Sequence, residues 1–171
     1  GAPASSGETP DSGWFCALNE IAVSRGSQSL IDVDVYADRL KVTKVLADGL
    51  VLATPTGSTA YSMSAGGSMV HPAVPCTLFT PICPHSLSQR PLVVPADETI
   101  EIEVFAEHQD IILTADGRTM TNLASRDRVT IRRAPHPVRL VNLQGLSFYE
   151  LLRTKLDWSL ANPATEDTQG A

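Results

Sequence analysis

Apolar and polar residues alternate with a period of two along much of this chain. Ile31, Val33 and Val35 alternate with Asp32, Asp34 and Tyr36, and Leu40 and Val42 resume the pattern after Ala37-Asp38-Arg39, which predicts a hairpin. Ile100, Ile102 and Val104 repeat it against Glu101 and Glu103. Ile111-Ile112-Leu113-Thr114 runs into Asp116-Gly117, a dipeptide that tolerates the positive φ angles of a tight hairpin turn. Leu50-Val51-Leu52-Ala53 is apolar throughout and predicts a buried strand. Val129-Thr130-Ile131-Arg132 and Val138-Arg139-Leu140-Val141 are further candidate strands. Many short strands punctuated by proline and glycine predict a mainly β protein, an antiparallel β-sandwich with one or two peripheral helices.

Two stretches read as helical. Residues 59 to about 65 combine Ala, Met and Ser and stop at Gly66-Gly67, and Phe148, Leu151, Leu152, Lys155 and Leu156 keep helical spacing after an N-cap candidate at Ser147. The second helix is expected to pack against the sheets, with Phe148, Tyr149 and Trp158 as core or interface side chains. Periodicity fades after Trp158, so residues 159–171 read as a flexible tail. Residues 1–13, poor in apolar side chains, read as a linker or loop remnant, which leaves 14–158 as the folded domain.

With 171 residues, 43% of them hydrophobic, the chain can bury one sizeable core. Its net charge of −6 supplies none of the broad basic surface that a nucleic acid or an anionic membrane would need. Neither is expected as a partner. Arg126-Asp127-Arg128 and Arg132-Arg133 are short enough to be solvated faces. Cys16, Cys76 and Cys83 cannot all pair and lack the close spacings of a zinc site, so an intracellular, reducing compartment is expected. The cytoplasm is the first choice, with mitochondrion and plastid as alternatives. His71 and His85 each adjoin a proline and are expected to satisfy backbone carbonyls in turns.

Candidate chemistry concentrates after the buried strand, in Thr54-Pro55-Thr56-Gly57-Ser58-Thr59-Ala60-Tyr61 with Ser64, Gly66 and Gly67. Backbone N–H groups and hydroxyls converge there as a turn opens a helix, which suits an oxygen-rich ligand but equally suits plain helix capping. The wording resembles the nucleotide-binding signature of NAD kinases, which phosphorylate the 2′-hydroxyl of the adenosine ribose of NAD to give NADP. The likeness continues in order and spacing through Leu18-Asn19-Glu20-Ile21, Asp32-Val33-Asp34-Val35-Tyr36, Asp48-Gly49, His71-Pro72, Thr80-Pro81-Ile82-Cys83-Pro84-His85-Ser86-Leu87-Ser88, Arg90-Pro91 and Asp116-Gly117-Arg118. The Thr80 to Ser88 wording is nearest to eukaryotic members.

The resemblance implies the all-β, NAD-binding C-terminal domain of an ATP-dependent NAD kinase. It carries a ligand role onto Asn19 and Glu20, which would reach the adenosine ribose, and onto Thr56, Thr59, Ala60, Tyr61 and Ser64, which would form a nucleoside wall. Asp48 would recognise the nicotinamide end, often across a subunit boundary; Asp116 and Arg118 are weaker candidates. Each has an alternative. Glu20 could face solvent or pair with Arg25, Tyr61 could be a packing residue, Asp48 could serve the turn with Gly49, and Asp116 could serve the hairpin tip alone.

One family signature is absent. No Gly-Gly-Asp-Gly-Thr run occurs in these residues, and the family places that motif, with its activating aspartate, in an N-terminal α/β domain. No catalytic residue is therefore assigned here, and this chain alone is expected to be inactive. The implied partners are NAD and NADP, ATP, the N-terminal α/β domain and further copies in a homodimer or homotetramer. Mg²⁺ is expected to arrive with ATP rather than on this chain, which shows no carboxylate cluster suited to it. Two other readings stay open: a noncatalytic nucleotide-binding or oligomerisation domain, and a lipid kinase of the diacylglycerol/sphingosine kinase superfamily.

Overall fold

The computed structural model describes residues 13–26, 30–106, 111–143 and 145–156. They divide into two compact units, the first ending at His136 and the second starting at Pro137. The strands lie in the first unit: β1 (Glu20–Arg25), β2 (Ile31–Ala37), β3 (Leu40–Ala47), β4 (Gly49–Ala53), β5 (Cys76–Ile82), β6 (Leu92–Pro95), β7 (Ile100–Phe105), β8 (Ile111–Ala115), β9 (Arg118–Leu123) and β10 (Arg128–Ile131). They form a six-stranded sheet in the order β6-β5-β4-β1-β8-β9 and a four-stranded sheet in the order β10-β7-β2-β3. Every adjacent pair is antiparallel.

The alternation decides which face each strand buries. Val33 and Val35 of β2, Ile102 and Val104 of β7, and Val45 of β3 meet Val23, Leu50, Leu52, Phe79, Ile111 and Leu113 from the larger sheet. Each such side chain, withdrawn from water, contributes about 1.5–3 kcal/mol. The polar residues on the other face of the four-stranded sheet pair across strands, with Lys44 on Asp32, Lys41 on Asp34 and Arg128 on Glu103 at 2.8–2.9 Å. Both predicted hairpins form. Asp38 and Arg39 at φ 45° and 69°, and Asp116 and Gly117 at φ 46° and 73°, make turns with both central residues left-handed.

Alternation alone missed β1, β5 and β6. For β1 and β5 the reason is a second apolar cluster, Ala22, Val51, Ala53, Cys76 and Leu78, on the opposite face of the larger sheet, whereas β6 is a short edge strand that buries none of its residues. Strands β1, β4 and β5 are thus covered on both faces, and β4 is buried at all five positions. The candidate strand at 138–141 does not form, and Val141 is 83% exposed. Alternating side chains make a strand only where a neighbour completes the ladder, and none of the sheets includes this stretch. The predicted helix at 59–65 is also broken: a 3-10 turn, Thr56–Thr59, is followed by the single α-turn α1 (Tyr61–Ser64), because Ala60 between them leaves the helical region at φ −105°, ψ −129°.

In the second unit, α2 (Phe148–Leu156) starts where Ser147 predicted. Ser147 Oγ accepts from the Glu150 N–H at 3.3 Å while the Glu150 carboxylate accepts from the Ser147 N–H at 2.7 Å, a reciprocal cap. Trp158, the 1–12 segment and the 159–171 tail lie outside the described residues. Cys16, Cys76 and Cys83 are free thiols, and burial pushes that of Cys76 up.

Candidate functional site

The site lies on the outer face of the larger sheet, where β1 and β4 present only small residues, Ala22, Val51 and Ala53. Residues 54–70 cross that face, and they divide into an inward and an outward set. Inward hydroxyls hold the segment down. Ser58 Oγ donates to the Val70 carbonyl at 3.2 Å and accepts from its N–H at 3.0 Å, while Ser62 Oγ and Thr80 Oγ1, both fully buried, share a 2.9 Å bond. A Cβ on Gly67 would meet that pair, so the close approach requires glycine. The outward set is Thr56, Thr59, Ala60, Tyr61 and Ser64, all partly or well exposed. Among the described residues no hydrogen bond engages the hydroxyls of Thr56, Thr59 or Ser64.

Asn19 and Glu20 stand beside this wall, at the bend where the chain enters β1. The bend answers the geometric objection that neighbours on a strand point to opposite faces. It is held from two sides. From the wall, Thr54 N–H donates to the Asn19 carbonyl at 2.8 Å, Thr54 Oγ1 donates to the Leu18 carbonyl at 2.7 Å, and Gly57 packs so closely that a Cβ would overlap the Asn19 backbone. From the β8–β9 turn, the Asp116 carboxylate accepts from the backbone N–H groups of Leu18 at 2.8 Å, Asn19 at 2.7 Å and Glu20 at 3.1 Å. Burial alone would raise Asp116, but these three donors and the Arg118 charge outweigh it and hold the carboxyl below its usual range.

Glu20 is the unusual group. It is 7% exposed, and its Oε2 is buried without a hydrogen-bond partner. Burial first, and then the charge of Asp116, push its carboxyl up, against a hydrogen bond from the Tyr61 backbone that pulls it down. The alternative reading, Glu20 facing solvent or paired with Arg25, is corrected: Glu20 is buried, and Arg25 Nε pairs with Asp48 Oδ1 at 3.1 Å. The cause is register. Glu20 lies opposite Ala53 while Ser24 lies opposite Gly49, so Arg25 ends beside Asp48 at the far end of the strand pair, roughly 17 Å along β1 from Glu20.

Tyr61 links the two ends. Its ring is 42% exposed, and its hydroxyl is raised by burial and then by the charges of Cys83, Asp48 and Glu20, all near enough to act on it. Asn19, Glu20, the outward wall and Asp116 are therefore brought together; Asp48 sits at the other end of the same face, and Arg118 is exposed beside Asp116. Within its turn His71 accepts the Ala73 N–H on Nδ1 at 3.1 Å. Sequence reasoning gave Thr54 and Gly57 no part in holding Asn19 and offered Arg25 to Glu20 rather than to Asp48; the pairing of β1 with β4 sets Thr54 and Gly57 against Asn19 and Arg25 beside Asp48. No group of three or more His, Cys, Asp and Glu among the described residues could hold a metal ion.

Comparison with known proteins gives a consistent answer. Residues 18–143 match the family model described as ATP-NAD kinase C-terminal domain. The chain is 43% identical over 149 residues to an NAD kinase of Syntrophotalea carbinolica, covering 86% of this chain and 52% of that protein. It spans about half the length of the curated relatives it matches. Among solved structures it resembles yeast NADH kinase complexed with NADH, with a TM-score of 0.77 and 33% identity over 88% of this chain and 46% of that one. It also resembles an NAD kinase from Archaeoglobus fulgidus in complex with ATP, with a TM-score of 0.63 and 36% identity over 71% of this chain and 47% of that one.

Proposed function

Because the chain belongs to the ATP-NAD kinase family, matching its C-terminal domain, we propose that it is the dinucleotide-holding part of an NAD kinase, which moves the γ-phosphoryl of ATP to the adenosine ribose 2′-hydroxyl of NAD. The observation that carries this reading is the unfinished polar corner at the head of β1. Glu20 Oε2 is buried and unpartnered, and a ribose hydroxyl, able both to donate and to accept, would satisfy it in either protonation state. Asn19, half-buried, directly precedes it in the chain, and the partly or well exposed Thr56, Thr59, Tyr61 and Ser64 lie along the segment whose Tyr61 backbone meets the Glu20 carboxyl. The Asp48 end would take the nicotinamide half.

In phosphoryl transfer the 2′-oxygen forms a bond to the γ-phosphorus as the bridging β–γ oxygen leaves with ADP, and the hydroxyl proton passes to a base. Most of the advantage lies in positioning, which is the share assigned to this domain; the base and the ATP site belong to the family's α/β domain. Mg²⁺ is expected to arrive with ATP, and no step is assigned to it here. By resemblance the working protein is a homodimer or homotetramer of intracellular location.

The test uses the whole protein that contains this domain. NADP formed from NAD and ATP is measured with an NADP-specific dehydrogenase. Asn19→Ala should raise KM for NAD with KM for ATP unchanged. Absent NADP formation with phosphorylation of diacylglycerol or sphingosine would replace this reading with the lipid-kinase one; NAD binding without turnover would leave a binding module. Sharing of the site is tested by mixing Asn19→Ala and Asp48→Ala subunits: partial recovery of activity is expected, and none, with subunit exchange confirmed by native mass spectrometry, refutes it.

A further inference from the structure

We propose that Asp116 is not a ligand contact but a positioning residue, whose carboxylate clamps the backbone of Leu18, Asn19 and Glu20 and so aims the side chains that meet the ribose. This rests on the NAD reading above. Both carboxylate oxygens are used by the clamp, Oδ2 by the Leu18 N–H and Oδ1 by those of Asn19 and Glu20. A ligand would have to compete with three charge-assisted bonds. The Asp116 N–H also donates to the Glu20 carbonyl at 3.0 Å, so the turn and the head of β1 are tied in both directions.

The same residue has a second duty that obscured the first. At φ 46° beside Gly117, Asp116 occupies a left-handed position where Asp and Asn are the tolerated side chains, and the hairpin alone would explain it. The two duties separate under one substitution. Asp116→Asn keeps the turn, because Asn accepts the same backbone angles at least as readily, but it removes the negative charge and replaces one acceptor oxygen with a donor NH₂. One of the three backbone N–H groups must then face another donor. The charge matters as well, since Asp116 is the charged neighbour acting on Glu20; from α1 that carboxyl meets the Tyr61 backbone, and Asp48 and Cys83 act on the Tyr61 ring beyond it.

Steady-state kinetics of Asp116→Asn in the whole protein test the clamp. Loss of charge-assisted bonds predicts a KM for NAD raised about tenfold, with KM for ATP unchanged. Melting should stay within about 2–4 °C of wild type. Without the Asp116 charge Glu20 ionises more readily, so the acid limb of kcat/KM for NAD should move to lower pH, a change that a purely structural turn residue would not produce. An unchanged KM, whatever the melting temperature, overturns the proposal, and so does a raised KM with the acid limb unmoved. Should the variant fail to fold, the wild-type protein decides: the amide protons of Leu18, Asn19 and Glu20 should titrate together with a midpoint below the usual carboxylate range. Separate or absent titration overturns the clamp. A wild type that binds no NAD refutes the dinucleotide reading itself, whereas a wild type that binds NAD beside an indifferent variant refutes the clamp alone.

Discussion

Replacing Glu20 with glutamine should make the domain more stable while making it a poorer ligand site. The wild-type side chain is 7% exposed, one oxygen lacks a partner and the Asp116 charge acts on it, so its own charge is carried at a cost. A buried unsatisfied group costs about 1–3 kcal/mol, more when charged. Glutamine has nearly the same shape, keeps an oxygen for the Tyr61 N–H and loses the charge. Since its amide still lacks one partner, the net gain near pH 8 is about 1–2 kcal/mol, and at about 2–4 °C per kcal/mol for a protein of this size the melting temperature should rise by about 2–8 °C. The sign depends on pH. The Glu20 pKa is raised above its ordinary 4.5, so the wild-type stability that comes from its neutral form is complete below that value and is lost as pH rises through the raised pKa. The gap between variant and wild type should therefore open with rising pH and close near about pH 4. Melting curves at pH 4 to 8 followed by circular dichroism, with NAD titrations alongside, provide the assay. A variant less stable than wild type at pH 8, or a gap that widens as pH falls, would refute the assignment of Glu20 as a strained ligand group.

Three further outcomes follow from the same geometry. Gly57→Ala would drive a methyl into the Asn19 backbone, and chemical denaturation should show a loss of about 1–3 kcal/mol together with weakened NAD binding. Tyr61→Ala removes a ring that is 42% exposed, so folding should survive while calorimetry shows NAD binding weakened by about 1–3 kcal/mol; unchanged affinity with a lower melting temperature would return Tyr61 to packing. Arg25→Gln frees the carboxylate of Asp48 from a partly exposed ion pair, which should cost no more than about 1 kcal/mol of stability yet raise KM for NAD, because Asp48 loses its fixed orientation.

Much of this was readable before any coordinates. Alternation over Ile31 to Val35 and Ile100 to Val104 marks half-buried strands, since a residue period of two puts every second side chain on one face. Asp116-Gly117 declares its turn because few residue pairs accept two left-handed angles in succession. The order of Asn19-Glu20, Asp48-Gly49 and the 54–67 segment carried the family likeness. These are local properties, written in neighbouring residues.

What depended on register was not readable. Whether Glu20 met Arg25, solvent or a buried corner followed from β1 pairing with β4 so that Glu20 faces Ala53, a residue 33 positions away in the chain. Covering the outer face of β1, β4 and β5 erased their alternation, and an alternating stretch at 138–141 found no ladder at all. The sequence by itself determined which residues could form strands, turns and a polar wall. The tertiary structure alone decided which of their polar groups were used up in holding the fold and which were left over, because a hydrogen-bond partner nearly a hundred residues away, such as Asp116 for Leu18, Asn19 and Glu20, exists only once the sheet has closed.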